Sequence, residues 1–512
     1  MNYINPSVKS PEQVKSVPFS IFLENFRAKL KQVFYVLGDI DKMSTQRRLP
    51  PQAMSEIMSC YPLSVSIPKK YGGRGGYVHE NLSILSAASY ESLGLSLTLG
   101  INSSLFLQPV AKYGQESVKA EIFTRFLQKS NMGGLMITEP NFGSDALSMQ
   151  TYFVNHNGRY LIKGKKHWAG LTGLADYWLI AARERSAEGM LRRDIGFFIC
   201  DANEPGQEIL VEEYFENLGL YMIPYGRNHI DVSVPENQRL QPQSTGLHMM
   251  IDMLHRSRFI FPGIGLGFIK RMLDEAIAHT KHRIVGGKSL SSYDQVQYRL
   301  NRLQASFTIC SAFCFRSNEI GDINNDLASY DIEANVIKSV TSDMMQEASQ
   351  SLLQLAGAEG FKLTHIAGRS VVDSRPFQIF EGSNDILYAQ ISEAMIKLLR
   401  KTKELNFYRF LNSLYLTDWA TENLKELLNF EIYLKLSQRK MVELGIVISR
   451  IVSMNYVIKL GNQGFRTDLI TNTIAVLKKD IAMALSNFSY HNSSVVVEDY
   501  EENSSWFSLV KN

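Results

Sequence analysis

Several short patterns in this 512-residue chain have residue types and spacings that bear on chemistry. Gly263-Ile264-Gly265-Leu266-Gly267 looks like a dinucleotide loop, in which glycines let backbone amides approach a pyrophosphate. Phe268 stands where the third glycine belongs, and Pro262 spoils the strand that should precede it, so the run reads as a close contact between helices. YGGRGG at Tyr71–Gly76 has no Lys-Ser/Thr behind it and reads as a turn, not a phosphate loop. Cys310 and Cys314, four apart on an expected helix, have no ligand partners nearby, and His279 and His282 lack zinc-helix spacing and a carboxylate. These residues therefore point to buried thiols and to no metal. Nothing adjacent to Gly143-Ser144-Asp145 supplies a base, so that run is a turn and not a nucleophile elbow. Glu381 falls in a loop before a helix that Ser383 or Asn384 would cap.

Three textures along the chain must position these residues. From about Ile21 to Met132 the pattern is helical, as in FLENFRAKLKQVFYVL, and the loop VSIPKKYGGRGGY interrupts it before helix resumes in NLSILSAASYESLGLSLTLG. Between Gly133 and about Leu240, GRYLIKGKKHW, DYWLIAAR, IGFFICDA and NHIDVSVP are short β-branched and aromatic runs bounded by turn residues, and they read as strands. After Ser244 long amphipathic helices return (FIKRMLDEAIAHTKHR, DQVQYRLNRLQASFTICSAF, IEANVIKSVTSDMMQEASQSLLQLAG, DILYAQISEAMIKLLRKTK). ENLKELLNFEIYLKLSQRKMVELGIVISRIV and TNTIAVLKKDIAMALSNF extend the helical pattern, and the acidic end HNSSVVVEDYEENSS is expected to fray. The expected fold class is α+β, mostly α, in four parts: residues 1–132 helical, 133–243 β, 244–400 a helical bundle and 401–512 an additional helical domain.

Composition narrows the function classes. Charges of 54 basic and 51 acidic residues leave +3, which gives no reason to expect nucleic acid as a partner. Four cysteines without regular spacing cannot staple a secreted scaffold. MNYINPSVKSPEQ has neither the basic nor the apolar region of a signal peptide, and no uninterrupted apolar run reaches the ~18–20 residues of a bilayer span. A cytoplasmic protein is expected. Charges in the C-terminal part are mixed and not basic as a whole, so membrane association is not read from it.

Taken in order, the segments resemble the acyl-CoA dehydrogenase family. IPKKYGGRGG is similar to its N-terminal glycine loop, and GGLMITEPNFGSDALSMQT to its Thr-Glu-Pro-x-x-Gly-Ser-Asp segment. GRYLIKGKKHW with GLADYW resembles the flavin-facing β stretch, VSVPEN the exit from the β domain, and SRFIFPGIGLGFIKRMLDEA the first long helix of the C-terminal bundle. LLQLAGAEGF and RPFQIFEGSNDIL complete the set over roughly Ile21 to Leu399. FEGSNDIL and the hundred-odd residues after it look most like the very-long-chain branch, whose members carry a second helical domain. The resemblance implies an N-terminal helical domain, a middle β-barrel-like domain, a C-terminal four-helix bundle and an extra helical domain.

It also implies a flavoprotein of fatty-acid β-oxidation. The family removes the α-proton and β-hydride of an acyl-CoA thioester, leaving the trans-2-enoyl product. Hydride goes to N5 of FAD, and electrons leave to an electron-transfer flavoprotein or similar acceptor. On this resemblance Glu381 is the α-proton base, its backbone N–H contacts the thioester oxygen, and Gly382 permits close approach. Met136, Ile137 and Thr138 line the flavin ring, Trp168 packs beside it, and Arg283 holds the FAD pyrophosphate. Gln354 to Gly357 reach the FAD of a neighbouring subunit in a homodimer, and Ser383 and Asp385 touch the adenosine end. Ser144 and Arg258 lie near the acyl-CoA. Another branch takes its base from the helix near Arg258, but Ser257 stands there in this chain and cannot be that base.

Three departures stand out. Gly170 replaces the Thr or Ser whose hydroxyl faces flavin N5; Ile284-Val285-Gly286-Gly287 replaces Thr-Phe-Gly after Arg283; Tyr221 replaces an arginine. Two alternatives stay open: a related flavoenzyme acting on an acyl-carrier protein or using oxygen as acceptor, and a catalytically degenerate scaffold.

Overall fold

The computed structural model describes residues 11–128, 130–433, 435–490, 496–498 and 506–510. Helix α1 (Phe19–Tyr35) buries Phe22, Phe26, Leu30, Val33 and Phe34, the stripe that its three-to-four spacing announces. Ser92 separates α2 (Val78–Glu91) from α3 (Leu93–Gly100) and caps α3, its Oγ accepting from Leu95 N. The chain then runs straight into a π-helical turn, Ile101–Leu107. Helix α4 (Glu116–Gln128) leads to the sheet.

Seven strands follow: β1 (Gly133–Met136), β2 (Tyr152–His156), β3 (Arg159–Gly170), β4 (Tyr177–Arg185), β5 (Leu191–Asp201), β6 (Glu208–Tyr214) and β7 (Tyr225–Pro235). They form one sheet in which β1 and β2 run parallel to β4, while β2–β3, β3–β7, β6–β7 and β4–β5 are antiparallel. Strict alternation along β7 turns Asn228, Ile230, Val232 and Val234 inward.

Helices resume with α5 (Gly246–Arg258), α6 (Phe261–His282), α7 (Asp294–Ile320), α8 (Asp331–Ala356) and α9 (Asn384–Thr402). The GIGLG run lies in α6 as a helix contact. A Cβ on Gly263 or Gly267 would come within 2.7 Å of Leu82 O or 1.9 Å of Ser86 O on α2, and one on Gly265 within 2.4 Å of Thr341 on α8. Cys310 is buried beside Gly265 on the neighbouring α7. YGGRGG is a turn that buries Arg74 in an ion pair with Glu80, 2.8 Å.

The C-terminal part packs onto this bundle through α10 (Gln438–Asn462) and α11 (Thr467–Ser489). Gly445 of α10 meets the Tyr388 carbonyl of α9 so closely that a Cβ would be 2.0 Å from it. Arg302 bridges Glu347 and Asp480, and Tyr415 and Tyr456 both donate to Glu333. The long helix expected from Glu422 is broken: it becomes two short turns to Leu428, an extended stretch paired Asn406–Glu431, and only then α10. Asn429 ends the helical turns, and Phe430 buttresses Phe407 with ring centroids 5.3 Å apart. Leu93–Tyr113 and α10 are long and apolar enough to cross a membrane, but most of each is buried inside the protein. HNSSVVVEDYEENSS falls almost wholly outside the described residues.

Candidate active site

Glu381 and Gly382 occupy consecutive left-handed positions, φ 54° and 92°, just before α9. A glutamate held there costs about 1–3 kcal/mol and persists only where its surroundings enforce it. They do. Arg258 Nη2 donates to the Glu381 carbonyl at 2.8 Å while its Nη1 donates to Asn335 Oδ1 at 2.6 Å. Lys338 Nζ donates to the Gly382 carbonyl at 2.8 Å and to Asn384 Oδ1 at 3.0 Å. Two buried cations thus clamp the loop from α5 and α8. Burial pushes Lys338 down to about 7, the neighbouring Glu381 charge opposing that shift.

The Glu381 carboxyl accepts from Ser257 Oγ at Oε1, 2.7 Å, and Oε2 is buried with no partner among the described residues. Burial raises its pKa; the Ser257 hydrogen bond, and then the Arg258 and Lys338 charges, pull it back. One oxygen is therefore held and the other is free to take a proton.

The π-helical turn joins this loop to the sheet. Ser104 Oγ lies 3.4 Å from Ser257 Oγ, Ile101 packs on Gly170, and Asn102 Oδ1 accepts from Gly133 N at 2.7 Å, pinning the start of β1. π-Helical turns inside helices are frequent at functional sites. Beyond β1, Lys166 Nζ donates to the Ile137 carbonyl (3.1 Å) and to Glu139 (2.9 Å), and His167 N donates to the Thr138 carbonyl (2.8 Å). This buried ion pair ties residues 137–139 to β3. Met136 points its side chain into the core, so only its backbone is free to serve a ligand.

Trp168 sits at the bulge in β3 with φ 55° and remains 52% exposed, its indole 4.5 Å from the Phe215 ring and 6.2 Å from Tyr225. A half-exposed indole backed by two aromatic rings is a wall for a flat ligand, and with the unpartnered Glu381 oxygen it fits an isoalloxazine ring.

Other expected site residues lie elsewhere. Arg283 caps the far end of α6, whose 22 residues span about 33 Å. It lines an open cavity of about 460 Å³ with Glu275, His279, His282, Leu352 and His365. Gln354 and Gly357 end α8 at the same place, with nothing within 4 Å of the Gly357 Cβ position. Leu352 and Ala356, their neighbours on α8, line the same cavity as Arg283, and Glu381 of the same chain does not. Ser144 is exposed on the loop after Glu139. Ser383 takes the cap position of α9 without a side-chain cap bond, Asp385 is exposed, and Asn384 is turned inward to Lys338, Ser342 and Asp343. The expected cap by either residue is therefore not made. Arg258, expected on the acyl-CoA side, has its guanidinium committed to the Glu381 loop. Ser257, Asn335 and Lys338 are new to the site; each is an ordinary helix residue in sequence, and only the crossing of α5 and α8 brings them to Glu381.

Models of the acyl-CoA dehydrogenase N-terminal, middle and C-terminal domains match residues 27–130, 134–232 and 244–396 in order. The chain belongs to the acyl-CoA dehydrogenase family, whose enzymes are FAD-dependent. It is 25% identical to an acyl-CoA dehydrogenase of Bacillus subtilis (strain 168), the match covering 65% of this chain and 86% of that one. It is 23% identical to the very long-chain specific acyl-CoA dehydrogenase, mitochondrial, of Mus musculus over 78% of this chain, spanning 60% of that protein's length. An acyl-CoA dehydrogenase complexed with FAD from Bacillus anthracis has the same fold at TM-score 0.75 and 17% identity, covering 93% of this chain and 92% of that one.

Proposed function

We propose that the chain catalyses FAD-dependent α,β-dehydrogenation of a fatty acyl-CoA, with Glu381 as the α-proton base. The observation that carries this is the Glu381 carboxylate, with one oxygen tethered, the other buried and unpartnered, on a loop locked by Arg258 and Lys338. An α-proton beside a thioester is weakly acidic, so its removal needs a positioned base whose basicity is raised by exclusion of water. Burial supplies that rise, and Ser257 orients the carboxylate so that Oε2 faces the substrate. The locked backbone at Glu381 and Gly382 provides the rigid mount that proton transfer requires.

Trp168, the Thr138 hydroxyl and the backbone of residues 136–138 would hold the flavin ring, and Ser383 and Asp385 the adenosine end. Bound FAD supplies the acceptor for the β-hydride. Arg283, Gln354 and Gly357, gathered at the far end of α6, would serve the FAD of a second copy, which favours a homodimer. The acyl-CoA would pass Ser144, and an electron-transfer flavoprotein would take the electrons.

Anaerobic titration of the flavin-loaded protein with short, medium and long saturated acyl-CoAs tests this reading. Bleaching of the visible flavin band by one length class, lost in Glu381→Gln, is expected. A yellow protein that no acyl-CoA bleaches overturns the CoA assignment, and rapid oxygen consumption during turnover overturns the dehydrogenase reading in favour of an oxidase.

A further inference from the structure

Tyr225 opens β7 directly opposite Gly170 in the β3–β7 ladder, so the two side-chain positions face the same way. A Cβ on residue 170 would come within 2.9 Å of Ile101 Cδ1 and 3.3 Å of Tyr225 Cε1. The phenol ring therefore lies over the bare backbone of Gly170, with Ile101 of the π-helical turn beside it. Glycine at 170 is the packing counterpart of tyrosine at 225. The ring also neighbours Trp168, the indole that walls the cleft.

Among the described residues the buried tyrosines all have hydroxyl partners: Tyr113, Tyr388 and Tyr456 donate to Asp252, Asp343 and Glu333, and Tyr177 accepts from Arg125. Tyr225 makes no side-chain hydrogen bond among the described residues. Burial, and then the Glu381 charge, push its pKa up, so it stays a neutral donor. Tyr225 is part-buried, so its hydroxyl, without a protein acceptor, is open to a ligand in the cleft.

We propose that the Tyr225 hydroxyl donates a hydrogen bond to the bound flavin ring, serving from β7 as the donor that Gly170 cannot be. The assignment rests on the reading that this cleft holds FAD. It predicts that Tyr225 tunes the flavin before any acyl substrate arrives, because a donor to the ring stabilises its electron-rich reduced form.

The test is the midpoint potential and visible spectrum of the flavin-loaded protein without acyl-CoA, wild type against Tyr225→Phe. The expected result is a perturbed flavin band and a more negative potential. The reduced-to-oxidised ratio at fixed potential should fall by up to about tenfold, which is ~30 mV for a two-electron couple. Replacing the phenol by its more acidic difluoro analogue should move the potential the opposite way, an effect that packing alone does not produce, and it decides the matter if the Phe variant folds poorly. An unchanged flavin potential in both variants, with only the KM for acyl-CoA altered, overturns the assignment and gives the hydroxyl to the acyl group. Because no substrate is present, a potential that responds to Tyr225 in a protein that oxidises no acyl-CoA would sink the dehydrogenase reading and leave this one standing.

Discussion

Removing the hydroxyl at Ser257 isolates one contribution to the basicity of Glu381. Its Oγ, 2.7 Å from Oε1, is the carboxylate's one hydrogen-bond donor among the described residues. A hydrogen bond to a charged group is worth about 1.5–3 kcal/mol, and 1.36 kcal/mol corresponds to one pH unit, so Ser257→Ala should move the acid limb of the kcat/KM profile up by about 1–2 pH units. The sign follows from what is lost. Ser257 stabilises the ionised form, and without it the carboxyl holds its proton to higher pH. Activity should fall tenfold or more on the acid side and recover toward wild type above the shifted limb. The assay is the pH dependence of kcat/KM with a saturated acyl-CoA and an artificial electron acceptor, with flavin content matched between variants. Equal loss at every pH with an unmoved limb would refute the reasoning, since Ser257 would then orient Glu381 without tuning it.

Three further outcomes follow from the same loop and its supports. Gly382→Ala forces a side chain into a φ of 92°, with its Cβ 3.0 Å from Leu387 Cδ2; about 1–3 kcal/mol of strain should displace the loop, and kcat should drop at least tenfold while flavin binding persists. The folded chain raises the Glu381 pKa, so wild-type stability is lost as pH climbs through the ordinary carboxylate range to the folded value and stays lower above it. Glu381→Gln should accordingly melt higher than wild type at pH 8, with the gain vanishing under acid; equal melting temperatures at every pH would contradict the burial argument. Gly445→Ala, whose Cβ would meet Tyr388 O at 2.0 Å, should push α10 off α9 and cost about 1–3 kcal/mol in a denaturant titration.

Periodicity carried most of the architecture. The glycines at 263, 265 and 267 were legible as a helix contact because a failed phosphate motif on an apolar helix leaves close packing as their use. Strands β3, β4, β5 and β7 were legible because their β-branched and aromatic runs ended at turn residues. Glu381 was legible only through resemblance, since one glutamate in a polar loop has no pattern of its own. The residues that act on it were hidden for a physical reason: Ser257, Asn335 and Lys338 sit on two helices 78 residues or more apart, and only the tertiary crossing gathers them. Ile101–Leu107 reads as ordinary apolar helix, so the π-helical turn joining Gly170 to Ser257 gave no signal. Trp168 was picked out only through resemblance, since its exposure depends on a left-handed bulge that composition does not signal. The break after Leu428 was missed because long-range pairing of Glu431 with Asn406 overrode a helical composition.

Whether Glu381 takes the α-proton is the central claim, and solvent exchange tests it most directly. Flavin-loaded protein would be incubated anaerobically in D2O with an acyl-CoA analogue that cannot complete hydride transfer, and deuterium at the α-carbon followed by mass spectrometry. Steady α-deuteration by wild type, abolished in Glu381→Gln and retained in Tyr225→Phe, is the predicted result; α-deuteration that survives in Glu381→Gln would contradict the account.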